Sequence, residues 1–432
     1  MRPATLSILL LMLCSCSNAQ QQHKFDEFCN NFAKGYKALN IPDLQLSYAE
    51  NLKQIQSPVN IQKQIDFFEK VRKELKIYAG FELTIPQHTD FDLIEYETNL
   101  NLERLALEKK WIGEKPSAIA TYSLYSIPDG KAWYSYFLKK WTGANVNPDE
   151  VYLNGMEEVE NVKKHIEEIR LQTGMNEDEF YNHLNDSSFF ISSQTQVQQA
   201  FEQTKKVILK NLSNIFNPLQ IPEVSIQKGA DESLAQTPGY YNDNTFYYNY
   251  FNKPYNKRQV DWLFIHEAIP GHHYQLSIEA QAKRSVIQQL FHYAGFAEGW
   301  AAYTETLGKE LGVYQTLYDE LGKWEWDLVR SVRVPLDVGI NYYGWSDDKA
   351  LAFWKEHIRN QDDIAMREIN RMKRWPAQVV TYKYGAAQII KWKEKLQAQQ
   401  GANFNIKTFH DKILSQGSLP FFIVERNLFR KN

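Results

Sequence analysis

Apolar residues recur along most of the chain at intervals of three and four, the spacing that gathers them on one face of an α-helix. Phe25, Phe28, Phe32 and Tyr36 form one such stripe. Ile61, Ile65, Phe68, Val71 and Leu75 form a second, just after Pro58, and Leu93, Tyr96, Leu100 and Leu107 a third. Residues 148–174 open with Pro148, Asp149 and Glu150 and close on Gly174. Proline suits a first helical turn and glycine the position past the last one, so this span predicts one helix. Ser346 before Asp347 and Asp348 has the form of a cap and acidic first turn, for a helix carrying Leu351, Trp354 and Ile358. Core packing alone accounts for all these stripes.

One segment breaks the helical rhythm. Residues 240–250 are rich in tyrosine and interrupted by Asn242, Asp243 and Asn244, which predicts a small β-hairpin. Such a strand is either purely structural or an edge for an extended peptide, with Tyr241 as a residue beside the site. The sequence shows no repeat, low-complexity tract or proline- and glycine-rich linker. Residues 20–432 are therefore expected to form one large, mainly α domain with a deep central cleft and the hairpin beside its site.

Composition changes this picture little. Of 432 residues, 43% are hydrophobic and 23% charged, ordinary values for a globular chain. A formal net charge of −3 without a basic run excludes a clustered cationic face for nucleic acid. The first nineteen residues read as a leader. Arg2 is its basic start and residues 6–13 its apolar run. Leu13-Cys14-Ser15-Cys16 resembles a bacterial lipobox, which makes Cys16 the lipid anchor and lodges the protein in the cell envelope. The alternative is ordinary cleavage after Ala19. Only Cys29 remains in the body of the chain, so no disulfide can form within it.

The chemistry concentrates in residues 262–275, which hold His266, His272 and His273, three of the ten histidines. Zinc takes imidazole and carboxylate ligands and, in catalytic sites, keeps one position open for water. A glutamate beside that water, here Glu267, can take its proton. The spacing departs from the His-Glu-x-x-His form, because position i+4 is Pro270. On an ideal helix His272 would stand about 240° around from His266, and His273 about 10.5 Å further along the axis. Pro270 and Gly271 must therefore interrupt the helix. His272 needs the smaller looped-out insertion and is chosen over His273 as the second ligand. Glu298, a charge among small and apolar residues in Gly295-Phe296-Ala297-Glu298-Gly299-Trp300, is the third. Glu305, two turns on, would support the ligands.

These motifs resemble the bacterial proteins grouped as domain of unknown function 885, which in turn resemble helical zinc peptidases such as the Taq-type carboxypeptidases and oligopeptidases. The resemblance runs from about Trp133 to the C-terminus. Residues 266–275 match His-Glu-x-x-Pro-Gly-His-His-x-Gln, and residues 297–301 match the family's second motif. Residues 333–345, 375–385 and 409–420 match three further segments. Asn341 stands where the family usually has histidine, and the chain is shorter than most members, the shortfall lying before Trp133. The resemblance implies a zinc-dependent hydrolase, most simply a peptidase, with Glu267 as general base and Tyr382 as oxyanion donor. Arg333 and Asp337 would form a buried pair or bind a substrate carboxylate, and His273 would hold substrate or a ligand. Two rival readings stand beside this one: a zinc amidase or esterase acting on a small envelope metabolite, and a surface lipoprotein that binds without catalysis.

Overall fold

The computed structural model describes residues 4–114, 123–235, 237–251, 253–359 and 361–430, with side chains from residue 18 onward. Cys16 lies outside the described side chains. The fold is mainly α with small sheets, divided into two compact units.

The first unit comprises residues 1–120, 283–292 and 429–432. Its helices are Ala4–Ala38, Tyr48–Lys53, Pro58–Tyr78 and Ile85–Glu114. The helix after Pro58 starts where the sequence requires: Ser57 Oγ accepts from the Asn60 amide, and Pro58 fills the first turn. Its stripe is buried as expected at Ile61, Phe68, Val71 and Leu75. Ile61 and Phe68 share a core with Leu39 and Leu105.

The second unit, residues 121–282 and 293–428, is built on the helix Leu317–Asn341. Beyond Asp327 every residue of that helix is buried. Against it lie Pro148–Thr173, Asp347–His357 and Asp362–Arg374. Val159, Val162, Ile166 and Ile169 from the first of these meet Leu328, Val332 and Leu336, with Trp354 and Ile369 closing the cluster. The predicted helix ends hold. Asn147 accepts from the Asp149 amide, Gly174 is left-handed at φ 74°, and Ser346 accepts from the Lys349 amide.

The hairpin is present as strands Gly239–Asn242 and Thr245–Tyr248, with Asn242 paired to Thr245. Asp243 and Asn244 both have positive φ, at 44° and 56°, as a two-residue turn joining right-twisted strands requires. A third strand, Ser225–Lys228, pairs parallel to Thr245–Tyr248 and makes the hairpin part of a sheet. A cavity of about 620 Å³ reaches Trp262, one turn before His266, between Tyr181, Tyr255, Trp326 and Ile358, but none of His266, His272 and Glu298 lines it.

Candidate metal centre

All the predicted site residues lie in the second unit. The helix Val260–Glu267 ends right after the His-Glu pair. Ala268 still donates to the Phe264 carbonyl, Ile269-Pro270 is a cis peptide, and a new helix, His272–Gln281, begins after Gly271. The break required by the spacing is therefore present. Gly271 stands at φ −74° and ψ −131°, outside both the helical and the extended regions, in keeping with the expected backbone freedom. Room matters as well: a Cβ at this position would fall on the carbonyl oxygens of Ile265 and His266. The turn can fold this tightly only over a residue without a side chain.

Two contacts fix the helix that supplies Glu298, Ala294–Thr304. Trp300 Nε1 donates to the Pro270 carbonyl at 2.8 Å, tying this helix to the break. On its other side, Gly299 lies against Gly385 of Val380–Gln400, the helix that carries Tyr382. A Cβ at 299 would sit on the Gly385 Cα, well inside van der Waals contact, so both glycines are needed for this approach.

These constraints bring His266, His272 and Glu298 together. One ligand atom from each lies within 4.8 Å of the others. Glu298 Oε2 is 3.7 Å from His266 Nε2 and 3.5 Å from His272 Nε2. Both gaps exceed a hydrogen bond, and this oxygen is buried without any hydrogen-bond partner. Burial pushes the Glu298 carboxyl up, but the two imidazoles outweigh it and hold it well below the usual range. His273 turns elsewhere: its ring nitrogens meet the Tyr241 hydroxyl at 3.2 Å and the Pro222 carbonyl at 2.9 Å. Tyr241 thus touches His273 and not the cluster.

Glu305 lies 2.7 Å from His266 Nδ1 and Arg330 Nη2 3.2 Å from the same nitrogen; with the ring hydrogen on Nδ1, Glu305 accepts it and Nε2 is the nitrogen that faces Glu298. Arg330 pairs with the Glu305 carboxylate, and the Tyr314 hydroxyl donates to the Glu305 backbone carbonyl at 3.0 Å. Glu267 is half-buried next to His266, and burial raises its carboxyl against the lowering pull of His266 and His272. The Tyr382 ring stacks on His266, centroids 6.2 Å apart at 24°.

The expected Arg333–Asp337 pair is not formed. Arg333 donates to Glu368 at 3.1 Å. Asp337 instead accepts from the Tyr134 hydroxyl, the Ala377 amide and Asn341, and burial raises it to about 7. Asn341 also donates to the Met372 carbonyl and accepts from the Leu124 amide, so the residue standing in for the usual histidine is a structural tie. The sequence reading missed Arg330, Trp300 as a lock, and the group around Glu368. Arg330 had a signal: it sits three residues before Arg333, on one helical face within an otherwise apolar run.

Two solved structures share this fold. One is "the putative lipoprotein from Colwellia psychrerythraea", at 20% identity and a TM-score of 0.66, covering 88% of this chain and 71% of the other. The second is "a putative lipoprotein of unknown function from Shewanella oneidensis", also at 20% identity, with a TM-score of 0.61 and coverage of 88% and 73%. None of the curated proteins matches the chain. The model of one family, described as bacterial protein of unknown function (DUF885), matches residues 60–428, reaching well before Trp133, and the chain belongs to that family.

Proposed function

We propose that the protein is a zinc-dependent hydrolase acting on peptide bonds. The observation that carries this reading is the convergence of His266, His272 and Glu298, with one Glu298 oxygen buried and unpaired between the two imidazoles. An unpaired buried carboxylate oxygen is costly unless something binds it. Ligand atoms about 2.1 Å from a tetrahedral ion stand about 3.4 Å apart. The 3.5 and 3.7 Å separations at Glu298 fit that spacing. Two neutral nitrogens and one carboxylate are a catalytic zinc donor set with a position to spare. Zinc held there supplies Lewis acidity to the scissile carbonyl and acidity to a water molecule. Glu267 takes the water's proton and passes it to the leaving amine, and its raised affinity for a proton suits both halves of that transfer. Glu305 and Arg330 hold the His266 ring in the ligating tautomer. Tyr382, against His266, is the hydroxyl donor to the developing oxyanion.

The test is metal content joined to one substitution. Purified protein should hold about one zinc per chain, removable by chelator. Glu267→Gln should keep that zinc and lose turnover of a peptide library by about 10²–10⁴-fold, read by mass spectrometry. Protein prepared with zinc that stays empty would sink the reading. The leader motif and the names of the two fold relatives support an exported lipoprotein anchored at Cys16. Cys16→Ser should then shift the protein from the membrane to the soluble fraction, and an unchanged partition would count against it.

A further inference from the structure

Tyr382 has a second neighbourhood. Its hydroxyl lies 3.4 Å from Arg371 Nη2 and 3.4 Å from Gln378 Nε2, and the Arg333 guanidinium stands over its ring at 5.2 Å. Arg333, Arg367 and Arg371 all surround one carboxylate, Glu368. Arg333 donates to it at 3.1 Å and Arg367 at 2.7 Å, while Arg371 Nη1 remains 3.9 Å away, beyond a hydrogen bond. Among the described residues the three arginines have no other acidic partner. The Nε of Arg333, the Nε of Arg371 and Nη1 of Arg367 are buried with no acceptor. Arg333 and Glu368 are each 2% exposed, whereas Arg371 and Arg367 reach the solvent edge at 24% and 28%.

Three guanidiniums on one carboxylate leave two positive charges unbalanced in a mostly buried place. Positive charge gathered this way needs an anion to offset its desolvation. Glu305 does not supply it, being taken by Arg330 and His266. Arg371 Nη2 donates to Gln378 Oε1 at 2.8 Å, but Arg371 makes no hydrogen bond to a carboxylate, it is partly open, and Glu298 of the neighbouring cluster lies within its electrostatic reach. Its Nη1 is left to donate a charge-assisted hydrogen bond to an incoming carboxylate.

We propose that Arg371, backed by Arg367 and Arg333, is a subsite for a substrate carboxylate beside the His266–His272–Glu298 cluster. The substrate is then a peptide, or peptide-like amide, with a free carboxylate close to the bond that is cut. This rests on the hydrolase reading of the neighbouring cluster. Tyr382 alone stands between the two sites, its ring against His266 and its hydroxyl 3.4 Å from Arg371, so the carboxylate belongs to the part of the substrate next to the cleaved bond. Cleavage should therefore release a short C-terminal piece.

The test is calorimetric titration of the full chain, metal-free and zinc-loaded, with three probes: N-acetyl-dialanine as the free acid, the same compound as its C-terminal amide, and inorganic phosphate. The free acid should bind roughly tenfold or more tightly than the amide. The preference should persist in metal-free protein, because the arginines act without the ion. Arg371→Met should abolish it and Arg371→Lys restore part of it, with zinc uptake retained as the sign that both variants fold. Equal binding of acid and amide by the wild-type chain, or tighter binding of phosphate than of the acid, would overturn the carboxylate subsite. Absence of zinc uptake and turnover with the acid preference intact would instead overturn the hydrolase reading alone.

Discussion

Two arginine–glutamate groups flank Tyr382, built from the same residue types with opposite balance. In one, Glu305 meets a single guanidinium, Arg330, and a single imidazole, His266, with both charged side chains at most 3% exposed. In the other, Glu368 faces three guanidiniums, two of them at the solvent edge. The first group is balanced in charge, although Arg330 Nε stays buried and unpaired, and its chemistry is spent on holding a ring still. The second has positive charge to spare, and so has something left to bind. Residue identity would not separate the two; the ratio of charges and the access of water do. Glu298 and Glu305 repeat the contrast seven residues apart, one with an oxygen unpaired and the other fully engaged.

The largest expected effect breaks that second contrast. Glu298→Ala should abolish zinc uptake and cost the metal-free protein less than Glu305→Ala does, since the oxygen between the two imidazoles makes no hydrogen bond. Glu305→Ala should reverse the pattern. It strands Arg330 in the interior and should cost about 3–5 kcal/mol, measured by denaturant unfolding of the metal-free chain. If both variants lost similar stability, the contrast between open and closed carboxylates would not stand.

A pH experiment sharpens the closed side. His410 backs the Glu298 helix, stacked on Phe216 and edge-on to Trp300. Its Nδ1 donates to the Ile215 carbonyl at 2.9 Å, and its Nε2 accepts from the Tyr303 hydroxyl at 2.9 Å. Burial lowers it from 6.5 to about 4. The folded chain thus binds this proton less readily than the unfolded one. The stabilisation is fully present above pH 6.5 and is lost as pH falls toward 4, about 3 kcal/mol across the window. His410→Gln should flatten the fall in Tm between pH 7 and 4.5, and an unchanged slope would place the acid sensitivity elsewhere.

The smallest effect lies on the open side. Arg371→Met removes one of three cations from a single carboxylate, and stability should change by less than about 1 kcal/mol. A loss as large as that of Glu305→Ala would show that Arg371 is structural after all.

The sequence carried the local physics well. Ser346 caps its helix and Gly174 closes another where the sequence placed them, and the need for a break at Pro270-Gly271 followed from helical geometry alone. The choice of His272 over His273 rested on the resemblance to peptidases whose second ligand histidine follows a glycine, and on the smaller insertion; the coordinates place His272 beside Glu298 and His273 against Tyr241 and Pro222. What was not legible depends on contacts between distant segments. Arg333 looked like a partner for Asp337, four residues on, but its acceptor comes from another helix. The strand Ser225–Lys228 is too short to announce itself, and its partner lies some twenty residues on across the hairpin. The cavity beside Trp262 gathers residues from at least four separate stretches of chain, which no periodicity reports.

Gly271 has a consequence for mutational tolerance. It holds no metal and moves no proton, yet the carbonyl oxygens of Ile265 and His266 occupy the space where any side chain would begin. In a saturation screen scored on function, position 271 should be as intolerant as position 266, with alanine failing as badly as tryptophan. The fitness profile of the loop would then be written partly by the volume of two backbone oxygens, and a reader of that profile alone would mistake a packing limit for a chemical group.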